Sequence, residues 1–391
     1  MNDMSKYVSS VVKSIPPSGI RKFFDLVSQT EGVISLGVGE PDFVTPWHII
    51  EECFYSLERG YTMYTSNAGL PELREEIAAY QKRKIGVEYS PANEVLVTIG
   101  VSEAVDLALR VLLEPGDEVL VPEPCFVSYA PGAVLAYGKP VSVPTYDQDE
   151  YRLKPEILER YITPRSKVLV LAYPNNPTGG IMEAGDLQAL VDIIKKHDLI
   201  VISDEIYCEL TYEGKHASIA SFPGMRDRTL VMNGFSKAYA MTGWRIGYVC
   251  GNKDFISAMH KVHQYTIMCA PIMSQKAAIE ALRNGETEML KMVADYNNRR
   301  KIILKGLSEI GLDCFEPKGA FYCFPSIKIS GMGSEEFCEK LLMEEQVAVI
   351  PGNAFGSVGE GFVRCCYAAS ISNLENAIEK MGNFLRRHRV A

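Results

Sequence analysis

Several signatures are missing from this 391-residue sequence, and each absence removes a class of function. No run approaches the about 18 apolar residues that a membrane-spanning helix needs. The opening segment, "MNDMSKYVSS", has no apolar signal core. The ten cysteines, scattered from Cys53 to Cys366, never stand two residues apart, so the C-x-x-C spacing of zinc and dithiol sites is absent. Buried free thiols in a reducing compartment, and hence a cytoplasmic protein, are the expectation. Positive charge is in deficit. A net charge of −9 argues against non-specific attraction to nucleic acid or anionic membrane. Repeats, low-complexity tracts and Gly/Ser linkers are lacking too. So are G-x-x-x-x-G-K-[ST] and a G-x-G-x-x-G opening a helix, which leaves nucleotide-binding folds without support. "GFSKA" approaches the G-x-S-x-G nucleophile elbow but ends in Ala238, which weakens a hydrolase reading. His260 and His263 share a helix face with no third ligand nearby, so no metal is expected.

What is present is an ordinary globular composition, 47% hydrophobic and 23% charged, able to bury a large core. Short Val/Ile/Leu runs recur near 94–100, 117–122, 167–174, 199–204, 229–234 and 246–251. Helix-like stretches such as "SEAVDLALRVLL" and "DLQALVDIIKKHD" lie between them. Non-alternating apolar runs separated by amphipathic helices predict an α/β fold with strands buried on both faces of a mainly parallel sheet. From about residue 286 a long helical pattern gives way to "GAFYCFPSI", "SEEFCEKLLMEE", "VAVIPG" and "FVRCCYA", the texture of a smaller α+β domain. The expected organisation is an arm over 1–45 packing with the small domain, a large domain over 46–285 and the small domain over 286–391.

In an open parallel sheet, ligands bind beyond the carboxyl ends of the strands, so the residues following each run carry the functional signal. Gly100-Val101-Ser102 precedes a helix: a Gly turn and a hydroxyl at a helix start form an anion site, or Ser102 is simply an N-cap. Asn175-Asn176-Pro177-Thr178-Gly179 follows the next run and alone reads as a tight turn. Asp204 closes another run, and Lys237 follows "TLVMNGFS". A phosphate-type nest, an amide, a carboxylate and an amine thus converge on one sheet edge.

"NNPTGG" (175–180), "SDEIY" (203–207) and "SKAYAMTGWRIGY" (236–248), in that order, give the sequence a family resemblance. It resembles the pyridoxal-phosphate-dependent aminotransferases of fold type I, class I/II. "SLGVGEPDFVTP", "YTSNAGLPELR", "PKGAFYCFP" and "EGFVRCCYA" extend the match along nearly the whole chain. The sequence is most similar to aspartate/aromatic aminotransferases and to the N-acetyl-diaminopimelate group. The resemblance implies a large domain with a mainly parallel seven-stranded sheet between helices, plus a smaller α+β domain, and pyridoxal 5'-phosphate as cofactor. It implies Lys237 as the Schiff-base lysine and proton shuttle, Asp204 as partner of the pyridinium nitrogen, and Asn176 and Tyr207 at the phenolic oxygen. Val101, Ser102, Ser236 and Arg245 fall where relatives hold the phosphate, Phe126 where a ring covers the cofactor, and Tyr64 where a neighbouring subunit's phosphate is reached, which implies a homodimer. Arg364 matches the residue gripping the substrate α-carboxylate; Val38, Gly39, Asn176 and Tyr322 line the substrate side. Two positions depart from relatives. Gly234 stands where a serine is common, and Ser102 stands where some aspartate-using relatives carry lysine. The implied activity is transfer of an amino group from an L-amino acid to a 2-oxo acid, with 2-oxoglutarate/glutamate as one pair, by a ping-pong cycle. A carbon–sulfur lyase on the same scaffold is the alternative, and a non-catalytic sensor a third.

Overall fold

The apolar runs form buried strands because neither face of the sheet they make is left to water. The structure, a computed structural model, describes residues 4–17, 27, 30 and 32–390. In chain order the strands are β1 (Ile34–Ser35), β2 (Val95–Thr98), β3 (Glu118–Glu123), β4 (Lys139–Pro144), β5 (Ser166–Ala172) and β6 (Ile200–Asp204). There follow β7 (Thr229–Gly234), β8 (Gly247–Cys250), β9 (Tyr322–Cys323), β10 (Val347–Ala348), β11 (Ile350–Pro351) and β12 (Val363–Cys366). The central sheet has seven strands in the order β2-β8-β7-β6-β5-β3-β4. All are parallel except β8, which runs antiparallel to both β2 and β7.

The reversal of β8 has a local cause. The connection 235–246 holds only the 3-10 turn Thr242–Trp244, with no helix to carry the chain back across the sheet. The chain therefore re-enters at the edge it has just left. That brings the start of β8 beside the ends of β2 and β7, where Gly247 is paired with Thr98 and Gly234. Edge strand β4 escaped the apolar-run pattern: it is mostly half-buried and carries Pro140 and Pro144, residues a sheet tolerates at its edge.

The helix Gly100–Leu112 shows why the sheet is covered on both sides. Its Ala104, Ala108, Leu109 and Leu112 are buried and share a core cluster with Leu96, Leu230 and Val249 of the sheet. On the opposite face Leu187, Leu190, Val191 and Ile194 of the helix Ala184–Lys196 pack with Leu169, Leu171 and Val201. At about 25 cal/mol per Å² of apolar surface, such faces carry the main driving force for folding.

In the C-terminal stretch, β11, β12 and β9 form an antiparallel sheet in that order. Helix Ser334–Glu345 packs on β11, helix Ile371–His388 packs on Ser334–Glu345, and helix Glu286–Glu309 packs on Ile371–His388. The largest core cluster runs from Ile49, Ile77 and Tyr248 through to Ile303, Phe337 and Phe384, joining this stretch to the rest. Of the N-terminal arm, β1 pairs in parallel with β10, and Leu36 exchanges backbone hydrogen bonds with Ala348 and Cys366. The helix Ser10–Ser14 lies instead against the helix Tyr129–Leu135. Residues 18–26 of the expected arm lie outside the described residues.

Candidate active site

Beyond the shared edge of the sheet opens a cavity of about 1030 Å³. Gly100 starts its helix in the left-handed region, at φ +73°, which only glycine adopts at little cost. A Cβ at Gly100 would lie 2.7 Å from Arg245 Nη2, so the guanidinium rests directly on the helix start. Val101 and Ser102 line the cavity in the first turn, where backbone N–H groups have no partner within the helix. Arg245 itself sits at φ +50° and donates to the Thr242 carbonyl at 3.0 Å. A helix start, a hydroxyl and a forked cation meet here, the chemistry that binds a phosphate.

Asp204, at the end of β6, is buried, and its carboxylate accepts from the Tyr129 hydroxyl at 2.7 Å and from the Ile206 backbone at 3.1 Å. Burial raises its pKa to about 6 against the pull of these donors. A carboxylate held this way prefers a cationic N–H partner. Phe126, half-buried after β3, packs edge-on against Tyr129 with ring centroids 5.9 Å apart. It flanks the space between Asp204 and the helix start.

Lys237 follows β7. Its amine donates to the Gly39 carbonyl at 2.7 Å and lies 5.7 Å from the ring centroids of both Tyr207 and Phe321. Burial lowers its pKa to about 8; Arg364 and Arg245 push the same way, while Cys366 and Glu40 oppose. The neutral amine, the nucleophilic form, is therefore about a tenth of the population at pH 7, far more than an ordinary lysine offers. Ser236 beside it is buried and lines the cavity.

Arg364, on β12, is 3% exposed. It donates to Asn176 Oδ1 at 2.9 Å and to the Gly37 carbonyl at 2.6 Å. The guanidinium stacks between Tyr322 and Phe355, 4.6 and 4.9 Å from their ring centroids. Its Nε is buried with no partner. No carboxylate of the described residues pairs with Arg364 in an ion bridge, so the cation is held by neutral groups and a ligand anion is its natural counterpart. Tyr207 and Tyr322, both buried, share a hydrogen bond of 2.7 Å.

The cavity thus gathers Gly39, Val101, Ser102, Phe126, Asn176 and Asp204 with Tyr207, Ser236, Lys237, Arg245, Tyr322 and Arg364. Val38 and Tyr64 are not among its lining; both are exposed, Tyr64 by 79%. Gly234 now has a reason: a Cβ there would lie 3.0 Å from Gly247 Cα and the Ile246 carbonyl across the β7–β8 pair. Tyr129, the Gly37 and Gly39 carbonyls and Phe355 escaped the sequence reading, because uncharged residues and backbone oxygens leave no mark on it. His263 is buried against Glu103 at 2.6 Å. Among the described residues no cluster could hold a metal ion.

Comparison with known proteins decides the family. The model of "Aminotransferase class I and II" matches residues 31–381. The chain belongs to the class I and II aminotransferases. A putative aminotransferase, YugH, of Bacillus subtilis is 50% identical over 98% of this chain and 100% of its own. An aspartate aminotransferase of Pyrococcus abyssi is 47% identical, over 96% of this chain and 97% of its own. The crystal structure of an aromatic aminotransferase from Pyrococcus horikoshii superposes with a TM-score of 0.90 at 45% identity, covering 93% of this chain and 99% of that one.

Enzymes of this family use pyridoxal 5'-phosphate, and the aminotransferase cavity fits it. The phosphate-type site at Gly100 and Arg245, the buried Asp204 carboxylate and the Lys237 amine of lowered pKa match the group's anionic, basic-nitrogen and aldehyde ends. The fold is that of the type I pyridoxal-phosphate transferases: a mixed, mostly parallel seven-stranded sheet between helices.

Proposed function

We propose that this aminotransferase works by a ping-pong cycle in which an L-amino acid gives up its amino group and a 2-oxo acid takes it, with glutamate and 2-oxoglutarate as one pair. The observation that carries the reading is the Lys237 amine, brought to a pKa of about 8 inside the cavity that Asp204 and Arg364 also face. When bound, pyridoxal 5'-phosphate supplies the carbonyl that carries the amino group and an electron sink for negative charge at the substrate Cα. Lys237 would hold it at rest through Nζ; once displaced by the substrate, the same Nζ would take the proton from the substrate Cα as base and later give it back as acid. Asp204 would accept a hydrogen bond from the ring nitrogen and keep it protonated. Asn176 and Tyr207 would serve the phenolic oxygen, Phe126 would cover the ring, and Val101, Ser102, Ser236 and Arg245 would hold the phosphate. Arg364 takes the α-carboxylate in a two-pronged grip, with Gly39 and Tyr322 at its side.

Among the described lining residues, Lys237, Arg245 and Arg364 are the basic ones. With those three engaged and Ser102 where a lysine would meet a second carboxylate, the cavity supports a donor range broader than aspartate. A homodimer belongs to this reading, with Tyr64 reaching the phosphate of a second copy. Val44, Trp47, Phe54, Met63 and Tyr265, large apolar side chains exposed by 56–83%, supply the surface for it. Ten free cysteines support work in the cytoplasm. The test is a panel of amino donors against 2-oxoglutarate, each half-reaction followed by absorbance. Conversion that stops after one equivalent without the oxo acid supports transamination. Continued release of ammonia and pyruvate from the donor alone would refute it in favour of a lyase.

A further inference from the structure

The Tyr207–Tyr322 pair goes beyond the roles assigned above. The two hydroxyls lie 2.7 Å apart, with ring centroids 5.8 Å apart and planes at 77°. A phenol has one proton to donate, so only one of the two can donate to the other. If Tyr207 donates to Tyr322, it presents lone pairs to the cavity. If Tyr322 donates, the Tyr207 proton is free to point into the cavity, toward an anionic oxygen.

The Arg364 guanidinium selects the second arrangement. The Arg364 guanidinium stacks on the Tyr322 ring at 4.6 Å, and a cation at that distance makes the phenol a better donor. The position of that hydroxyl is set by the Gly39 backbone, since a Cβ at Gly39 would lie 2.5 Å from Tyr322 Oη. The same Gly39 offers its carbonyl to Lys237, so one loop fixes both the amine and the tyrosine pair.

We propose that Tyr322 is a positioning residue acting through Tyr207: its hydroxyl, primed by Arg364, donates to Tyr207 and so aims the Tyr207 O–H at the cofactor's phenolic oxygen. The inference rests on the placing of Tyr207 in the proposed function. Donors in series polarise one another, strengthening each bond by roughly 10–30%, so Tyr322 supports the negative charge on that oxygen without touching it.

The test is an absorbance pH titration of the substrate-free holoenzyme, which reads the midpoint at which its visible band changes. Wild type, Tyr322→Phe, Tyr207→Phe and the double variant are compared, with thermal melting as the check on folding. Tyr322→Phe keeps the ring beneath Arg364 and removes only the hydroxyl. Its midpoint is expected to rise by about 0.3–1 pH unit, the size of one weakened neutral hydrogen bond. Tyr207→Phe should move it further the same way, and the double variant should equal Tyr207→Phe. Gly39→Ala, which crowds the Tyr322 hydroxyl, should shift the midpoint upward as well and stands in if Tyr322→Phe does not fold. An unmoved midpoint in Tyr322→Phe beside a shifted one in Tyr207→Phe overturns the inference and leaves the proposed function standing. Additive shifts in the double variant overturn it too. A wild-type protein that gains no visible band on loading would refute the proposed function itself.

Discussion

Replacing Arg364 with lysine isolates what its fork contributes. The side chain is 3% exposed, stacked between Tyr322 and Phe355, and fixed by hydrogen bonds to Asn176 and Gly37. Arg364→Lys keeps the positive charge but reduces a planar two-pronged donor to a point charge. A substrate carboxylate then loses one charge-assisted hydrogen bond, about 1.5–3 kcal/mol. At about 1.4 kcal/mol per tenfold, kcat/KM falls roughly 10–150-fold. The assay is single-turnover absorbance of the first half-reaction with alanine, aspartate and phenylalanine in parallel. Because the α-carboxylate is common to all three, the loss should be the same factor for each, and carried mainly by substrate affinity. A loss confined to one donor, or an unchanged KM, would refute the assignment of Arg364 to the α-carboxylate.

Three further outcomes follow from the geometry. Asp204 has a folded pKa of about 6, above its ordinary value of 3.8. The cofactor-free folded state therefore holds the proton more tightly, and the resulting stability is full below pH 3.8 and lost as pH rises through 6. Relative to wild type, Asp204→Asn should remove a slope worth about 3 kcal/mol across that window, read by denaturant titration; parallel curves would contradict it. Loading cofactor-free protein should speed up through about pH 8, following deprotonation of Lys237, in stopped-flow absorbance; a midpoint near 10.5 would contradict it. Gly100→Ala forces a side chain into a left-handed residue and against Arg245. It should cost about 1–3 kcal/mol of stability and speed cofactor loss, measured by melting and dialysis; an unchanged dissociation rate would separate Arg245 from the phosphate.

The sheet was legible because burial on both faces writes itself into composition: β2, β3, β5, β6, β7 and β8 all coincide with Val/Ile/Leu runs. β4 was not, since a half-buried edge strand with two prolines carries no such run. Nor was the reversal of β8, which depends on what the segment 235–246 fails to build. At the site, the residues whose charge is costly to bury stood out: Asp204, Lys237 and Arg364 interrupt apolar stretches. The groups that orient them did not. Tyr129 is one aromatic among many, and the Gly37 and Gly39 carbonyls look like any other backbone until the fold brings them to Arg364 and Lys237. Pairings across 198 and 327 residues of chain are invisible to local pattern.

Lys237 is the amine proposed to hold the cofactor. Borohydride reduction of the loaded enzyme, followed by proteolysis and peptide mass mapping, reads that bond directly. The reduced cofactor should be found on the peptide containing Lys237 and on no other, and should vanish in Lys237→Ala. Attachment at a different lysine, or none at all in a protein that transaminates, would contradict the account.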